Sequence, residues 1–403
     1  MVVLSLFIIV QINKDGCLSM KYPHSHTRIF PFVLVVLFAG SLQAQSGPAG
    51  TGVAQRRLAH LQRGINASEW FAQVYDPEGY TKKHFENWMT AQDIALIKSM
   101  GFDNVRLSVN PQPMFRRGHA DELPADYLAY LDAAVKMILD QGLAVTIDIH
   151  PDSDFKTRLA NEDDFVEQFC EYWRGLARHY SMWDPDKVFF EILNEPELRD
   201  RYRWYGIQAK VAAAIREGAP QHTIIATGAK YSAGEELLFL EPLHDANVIY
   251  NFHFYDPHIF THQGATWGVN FWHNEKAGLA YPSNLESAEK VAAQVPEEMN
   301  RLYILQYGMG HWDAARIDME IGLVADWAKR RDVPIICNEF GVYRKYADLQ
   351  DRAAWIHDVR TSLERHGMGW AMWDYSGGFG VVTKPGGNAV LDEVTLRALG
   401  LKP

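Results

Sequence analysis

Short apolar segments that alternate with longer amphipathic segments are the feature that most constrains the fold of this 403-residue chain. Eight of these segments have the length and aliphatic content of buried strands, and helical spacing of apolar residues fills most of the intervals between them. The predicted strands are 63–67, 104–108, 144–150, 187–193, 223–227, 248–254, 334–339 and 369–373. The clearest predicted helices are 85–99, 125–141, 163–180, 202–217, 314–330 and 348–365, with a weaker one at 234–239.

Eight strands with intervening helices predict an α/β fold, a single (β/α)8 TIM barrel that occupies residues 54–403. In such a barrel the functional residues lie at the carboxyl ends of the strands. The connection after the sixth strand, residues 256–312, has no strand of its own but carries Trp267, Trp272 and a helical stretch at 285–293. Because long loops in compact domains usually serve a function, we expect this segment to form a wall of a substrate cleft.

The amino-terminal segment has the pattern of a secretory signal peptide. From Met20 the chain carries Lys21 and Arg28, then an apolar stretch at 29–39, then a small residue, Ala44. We therefore expect a leader at 1–44, with the signal peptide at 20–44, and a flexible lead-in at 45–53. Translation could start at Met1 or at Met20, and an uncleaved anchor is the alternative. The pattern predicts a secreted or periplasmic protein with no stable membrane partner.

Composition narrows the classes of partner. The chain is 47% hydrophobic and 22% charged, as in globular proteins, and its formal net charge is −11. An acidic protein repels phosphate at long range, so nucleic acid is an unfavourable partner, whereas a neutral polymer is not repelled. Cys170 and Cys337 lie within predicted secondary structure, which indicates two buried thiols. We expect a monomer that needs no cofactor.

Two glutamates close predicted strands about 140 residues apart. Glu195 follows the apolar fourth strand in the sequence Asn194-Glu195-Pro196, and Glu339 ends the seventh strand. In a barrel both carboxyl groups would converge on one pocket. Hydrolysis of a glycosidic bond requires two carboxyl groups, one as acid and the other as nucleophile or base. The pair therefore points to a glycosidase.

These residues identify a family resemblance. Asn194-Glu195-Pro196 and Glu339-Phe340-Gly341 resemble the strand-end motifs of glycoside hydrolase family 5, the cellulase-like retaining β-glycosidases. Further matches fall in the family's order over roughly residues 60–375. Six strand ends that match in the right order, together with the opening of the first strand, are far more specific than one motif. The other matching segments are Arg63-Gly64-Ile65-Asn66, Gly101 to Arg106, Asp148-Ile149-His150, His253-Phe254-Tyr255 and Trp373.

The resemblance implies roles for individual residues. It implies that Glu195 is the acid/base and Glu339 the nucleophile. Arg106 would hold Glu339 charged, and Tyr255 would donate a hydrogen bond to the same carboxylate. His253 would lie beside Glu195, and Asn194 would bind the 2-hydroxyl of the sugar. Trp373 would stack on a pyranose ring.

Two further polar residues have competing interpretations. His150 shares a strand face with Asp148, and Asp152 and Asp154 follow closely. A metal site is one interpretation of this segment, but no second histidine follows at ligand spacing, so we favour a sugar hydrogen bond and expect no metal. Glu191 has the same strand parity as Glu195, and we expect a buried carboxylate that is paired with a barrel arginine.

The function that the resemblance implies is a retaining endo-β-1,4-glucanase, a cellulase that cleaves internal bonds of a β-glucan. β-Mannanase, xyloglucanase and exo-acting β-glucosidase stay open within the family. A non-catalytic glycan-binding barrel is the alternative from another class, but it would be expected to lose one of the two carboxylates. For a retaining enzyme we expect a carboxyl separation near 5 Å.

Overall fold

The computed structural model describes residues 52–267 and 278–403. Eight parallel strands form a closed barrel in sequence order, which confirms the predicted (β/α)8 fold and all eight predicted strands. A two-stranded antiparallel hairpin follows, which the sequence did not predict. The strands are β1 (Arg63–Phe71), β2 (Asn104–Val109), β3 (Ala144–Ile149), β4 (Val188–Glu191), β5 (Thr223–Thr227), β6 (Val248–Phe254), β7 (Ile335–Phe340), β8 (Gly369–Met372), β9 (Val382–Thr383) and β10 (Val390–Leu391).

Helices surround the barrel and bury their apolar faces against the strands. Most of the helices that the sequence predicted lie within a few residues of their predicted bounds. The α-helices are α1 (Val53–Arg57), α2 (Lys82–Asn87), α3 (Ala91–Met100), α4 (Ala125–Asp140), α5 (Ser153–Asn161), α6 (Asp163–Tyr180), α7 (Arg201–Gly218), α8 (Ala229–Ser232), α9 (Gly234–Leu237), α10 (His258–Thr261), α11 (Leu285–Ala292), α12 (Glu298–Met309), α13 (Ala314–Arg331), α14 (Leu349–Arg365) and α15 (Glu393–Ala398).

The prediction of one helix at 85–99 is wrong, because α2 ends at Asn87 and α3 begins at Ala91. Thr90 starts the second helix with a capping box: its backbone N–H donates to the Asp93 carboxylate over 2.8 Å. Reciprocal caps of this kind satisfy backbone donors that a helix start leaves without partners. The Thr-x-x-Asp pattern was readable in the sequence and marks the break.

The amino-terminal end of the barrel is closed by α1 and the turn after it. Ala54, Leu58 and Leu61 pack against side chains of the strands in a small apolar cluster. Arg57 anchors α1 to the loop before β4, since its Nε donates to the Asp186 carboxylate over 2.7 Å. Closure at this end leaves the carboxyl ends of the strands as the face on which a site can form.

The segment between β6 and β7 contains no strand among its described residues, as expected, and carries α10 to α13. Trp267 is 48% exposed and its ring packs edge-on against Tyr343, with centroids 4.9 Å apart. Trp272 and the predicted leader at 1–44 lie outside the described residues. Among the residues that are described, no helix has both the length and the apolar character to cross a membrane. Cys170 and Cys337 are buried free thiols, as predicted.

Candidate active site

Backbone irregularities at two strand ends turn the two glutamates into one pocket. Glu195 has φ +44°, a left-handed conformation that is costly for a residue with a side chain and that is concentrated at functional sites. On the opposite side of the pocket, the pairing of β6 with β7 shifts between Phe252 and His253, so that His253 lies opposite Glu339. A shift of this kind re-aims a side chain. Together these irregularities bring His253 between the two carboxyl groups.

The carboxyl groups of Glu195 and Glu339 are close together. His253 Nδ1 lies 3.0 Å from Glu195 Oε1 and 3.4 Å from Glu339 Oε2. One ligand atom from each of the three residues lies within 4.8 Å of those from the other two. The Glu195 side chain is 26% exposed, whereas that of Glu339 is 6% exposed. One carboxyl group is therefore open to a ligand while its neighbour is held within the barrel.

The environments of the two carboxyl groups differ in charge. Burial raises the pKa of Glu195 above its ordinary value, against the attraction of Lys156. Glu339 instead accepts from a cation, Arg106 Nη1, over 2.6 Å and from Tyr255 Oη over 3.0 Å. A carboxyl with a raised pKa suits proton donation, and one that is held by a guanidinium suits nucleophilic attack.

Arg106 organises the polar interior of the barrel. It is fully buried, and all five of its N–H groups have acceptors. These acceptors are Glu191 Oε2 (2.7 Å), Glu191 Oε1 (2.8 Å), Asn66 Oδ1 (2.9 Å), Glu339 Oε1 (2.6 Å) and Asn194 Oδ1 (2.9 Å). The buried pairing of Glu191 with a barrel arginine is thereby confirmed.

One cation thus faces several buried carboxyl groups. Burial would lower the pKa of Arg106, but Asp148, Glu191 and Glu339 outweigh it and raise that pKa well above its ordinary value. Burial also raises the pKa of Asp148 to about 6 and raises that of Glu191, in both cases against the attraction of Arg106. The single charge of Arg106 is therefore shared among several buried carboxyl groups. Asp148 and Glu191 accordingly hold a proton more tightly than such groups do in water.

Trp373 lies beside this network. Its ring stacks on His150 with centroids 5.7 Å apart and an interplanar angle of 21°. Its backbone N–H donates to Phe340 O over 2.9 Å, and a side chain at Gly341 would collide with its carbonyl oxygen. The Glu339-Phe340-Gly341 motif therefore fixes the tryptophan as well as the glutamate. Trp70, another aromatic residue near a strand end, is buried in the core.

His150 is held on both sides by the protein. Nδ1 lies 2.9 Å from Asp148 Oδ2, and Asn194 Nδ2 lies 3.1 Å from Nε2. Both ring nitrogens are thus engaged, and the predicted sugar hydrogen bond would require one of these contacts to open. Asp152 caps α5, since its carboxylate accepts from the backbone N–H of Phe155 over 3.0 Å.

The Glu195, His253 and Glu339 ligand atoms are close enough to surround a metal ion, but the histidine is poorly arranged for one. A histidine that ligates through Nδ1 normally donates its Nε2–H to an acceptor, and His253 Nε2 is buried with no partner among the described residues. Burial lowers the pKa of His253 to about 4, so the ring is neutral. The geometry suits an Nδ1–H that donates to the two carboxylates.

Of the eight predicted site residues, seven lie at or just beyond the carboxyl ends of the strands, whereas Arg106 lies in the middle of β2 and reaches Glu339 and Asn194 with its guanidinium. The roles assigned to all eight stay predictions. The eight residues are Arg106, His150, Asn194, Glu195, His253, Tyr255, Glu339 and Trp373. The sequence did not single out Asn66 and Asn338, whose amides complete the network on Arg106 and Glu191. It also did not single out Asp374, which follows Trp373, or Glu69, whose carboxyl group lies close to that of Asp374. Burial raises the pKa of Glu69 to about 7 and that of Asp374 to about 6. Asn338 lies near the end of β7 and Asp374 follows β8, which is the signal that could have found these two, whereas Asn66 and Glu69 lie within β1.

Comparison with known proteins matches this geometry to a family. Residues 66–378 fit the family model described as cellulase (glycosyl hydrolase family 5). The chain belongs to glycoside hydrolase family 5. It is therefore a glycoside hydrolase, which confirms the predicted enzyme class.

Relatives within family 5 cover most of the chain. Endoglucanase C of Acetivibrio thermocellus is 29% identical over 329 residues, which are 79% of this chain and 92% of that protein. Cellodextrinase A of Ruminococcus flavefaciens is 31% identical over 316 residues, 76% of this chain and 83% of the relative. Cel5A of Thermotoga maritima in complex with cellobiose has a TM-score of 0.69 at 25% identity, covering 85% of this chain and 99% of its own. Its complex with mannotriose has a TM-score of 0.68, also at 25% identity and with the same coverage.

Proposed function

We propose that this family 5 enzyme is a secreted endo-β-1,4-glucanase that cleaves internal bonds of soluble or amorphous β-glucan with retention of configuration. The observation that carries the proposal is the pair of carboxyl groups bridged by His253, in which one oxygen of Glu195 lies within 4.8 Å of one oxygen of Glu339. Retaining glycosidases have carboxyl groups about 5–5.5 Å apart, whereas inverting enzymes need about 6.5–9.5 Å to admit a water molecule. The separation therefore favours a covalent intermediate.

The first step would transfer the sugar to the enzyme. Glu195 gives its proton to the glycosidic oxygen while the Glu339 carboxylate attacks the anomeric carbon. The bond between that carbon and the leaving oxygen breaks, and a glycosyl ester forms on Glu339. Arg106 and Tyr255 donate hydrogen bonds to the attacking carboxylate and orient it.

The second step would release the sugar. Glu195, now a carboxylate, takes a proton from a water molecule as the water oxygen attacks the anomeric carbon. The ester bond breaks, Glu339 leaves as a carboxylate, and Glu195 has regained its proton. His253, neutral and within hydrogen-bond distance of Glu195, supports the ionised form of Glu195 at this stage.

Three observations support the proposed substrate: an acidic protein does not repel an uncharged polymer, a tryptophan lies at the site, and similar proteins are named for their action on β-glucans. The net charge of −11 does not repel an uncharged glucan. Trp373 is only 9% exposed, but it follows β8 at the carboxyl end of the barrel, where the proposal has its ring stack on a sugar. Relatives named endoglucanase and a structure in complex with cellobiose support a β-1,4-glucan. A cellodextrinase at 31% identity makes short cello-oligosaccharides the second candidate.

Product analysis on soluble polymers tests the proposal. Wild type, Glu195→Ala and Glu339→Ala would be incubated with carboxymethylcellulose, mixed-linkage β-glucan, xyloglucan and mannan. We expect rapid viscosity loss on a β-1,4-glucan that both substitutions abolish. Release of only short sugars would make the enzyme exo-acting, and dominant activity on mannan or xyloglucan would change the substrate. Activity that survives both substitutions would place the site elsewhere.

Export is a separate part of the proposal. The signal-peptide pattern at 20–44 supports cleavage after Ala44. Expression of the full chain in a bacterial host should yield exported protein that begins at Gln45. Amino-terminal sequencing that finds a start far from Gln45, or protein that stays anchored in the membrane, would contradict cleavage.

A further inference from the structure

Asn194 belongs to a closed ring of four buried side chains, which three hydrogen bonds and one ion pair connect. Asp148 Oδ2 lies 2.9 Å from His150 Nδ1, and Asn194 Nδ2 lies 3.1 Å from His150 Nε2. Arg106 Nη2 completes the ring, at 2.9 Å from Asn194 Oδ1 and 3.1 Å from Asp148 Oδ2. The four side chains are at most 7% exposed, so water cannot easily substitute for any member.

The chemistry of the members fixes every hydrogen in this ring. Burial lowers the pKa of His150 to about 3, so its ring is neutral and carries one N–H. The guanidinium of Arg106 can only donate, which turns the Asn194 oxygen toward it and the Asn194 amide nitrogen toward His150. Nε2 of His150 must then accept, and its hydrogen lies on Nδ1, where the Asp148 carboxylate accepts it. The Nε2–H tautomer would place two donors against each other.

We propose that Asp148 is a positioning residue, which holds His150 in the Nδ1–H tautomer and thereby aims the free N–H of the Asn194 amide at the 2-hydroxyl of the sugar being cleaved. This role rests on the proposed function, in which Asn194 binds that hydroxyl. Asn194 uses one N–H on His150, and its other N–H is the one available to a ligand. A contact with the 2-hydroxyl strengthens in the transition state, so a misdirected amide would lower the rate of cleavage.

Two substitutions of Asp148 distinguish its role as a hydrogen-bond acceptor for His150 from the effect of its negative charge. Asp148→Ala removes the acceptor for the His150 N–H and frees the ring to change tautomer. Asp148→Asn also removes the charge, but its amide oxygen can still accept from Nδ1. Both substitutions weaken the contact with Arg106, so Glu191→Gln serves as the matched control. It loosens Arg106 from a buried carboxylate that does not touch His150.

The test compares an aryl β-cellobioside with its analogue that lacks the 2-hydroxyl on the ring whose bond is cleaved. Because that hydroxyl contributes several kcal/mol, wild type should prefer the parent substrate by about 100-fold or more in kcat/KM. Asp148→Ala should reduce this preference at least tenfold, and Asp148→Asn should restore it to within about threefold of wild type. Glu191→Gln should slow both substrates equally.

An equal loss on both substrates in Asp148→Ala would overturn the proposal, since it would show that Asp148 acts through Arg106 or through folding. Failure of wild type to cleave the parent substrate would instead refute the proposed function, and this role with it. A second measurement tests the proposal on the wild type alone, in case Asp148→Ala does not fold.

Nitrogen NMR of 15N-histidine-labelled wild-type protein at pH 7.5 should show His150 protonated on Nδ1, with His150→Asn used to assign its signals. Protonation on Nε2 would contradict the proposal.

Discussion

Replacement of Arg106 by lysine tests whether one guanidinium holds the interior of the barrel together. The arginine satisfies five acceptors with five N–H groups. An ammonium has three N–H groups, so in Arg106→Lys at least two of these buried acceptors lose their partner. Each such group costs about 1–3 kcal/mol, which predicts a loss of about 2–6 kcal/mol in the free energy of unfolding.

Urea unfolding monitored by tryptophan fluorescence measures this loss. Arg397→Lys is the matched control, since that arginine forms an exposed pair with Glu393 within α15. We expect the control to change the free energy of unfolding by less than about 0.5 kcal/mol. An Arg106→Lys protein within about 1 kcal/mol of wild type would refute the five-acceptor account. It would mean that water or rearranged side chains satisfy the buried acceptors.

Three further predictions concern Tyr255, the pair Glu195 and Glu339, and Glu69. Tyr255→Phe removes a 3.0 Å hydrogen bond to Glu339, and should lower kcat on an aryl cellobioside by about 10- to 100-fold with KM little changed; an unchanged kcat would contradict this. Azide added to Glu195→Ala should give a β-glycosyl azide and to Glu339→Ala an α-glycosyl azide, as NMR of the products would show; exchanged products would reverse the two roles. Burial raises the pKa of Glu69 from 4.5 to about 7, so the folded state binds this proton more tightly than the unfolded state, and wild type loses stability as pH rises through that window. The melting temperature of Glu69→Gln should therefore rise relative to that of wild type between pH 4.5 and pH 8. A difference in melting temperature that stays constant over this range would contradict the raised pKa.

The barrel was predictable because its strands are continuous apolar runs. β5 and β6 have the predicted bounds, and other strands differ by a few residues at their ends. The sequence prediction missed the break between α2 and α3, because apolar residues keep their helical spacing across Thr90. The capping box of Thr90 nevertheless starts a new helix there. Helix α12 was missed as well, since its outer face carries exposed Met299, Leu302 and Met309 and its polar pattern is weak.

The site was predictable as a set of residues but less so as a network. Family motifs named Arg106, Glu195 and Glu339, and strand order placed the two glutamates at one end of the barrel. The ring through Asp148 and the bridging position of His253 depend on side-chain geometry and on a register shift between β6 and β7. Strand parity alone gives neither.

The configuration of the first product tests the central claim most directly. Wild-type enzyme would be mixed with cellopentaose, and the anomeric protons of the released sugar recorded by NMR within the first minutes, before mutarotation. Attack by Glu339 followed by attack of water inverts the anomeric carbon twice, so the account predicts that the β-anomer appears first. First appearance of the α-anomer would show a single displacement by water and contradict a covalent intermediate on Glu339.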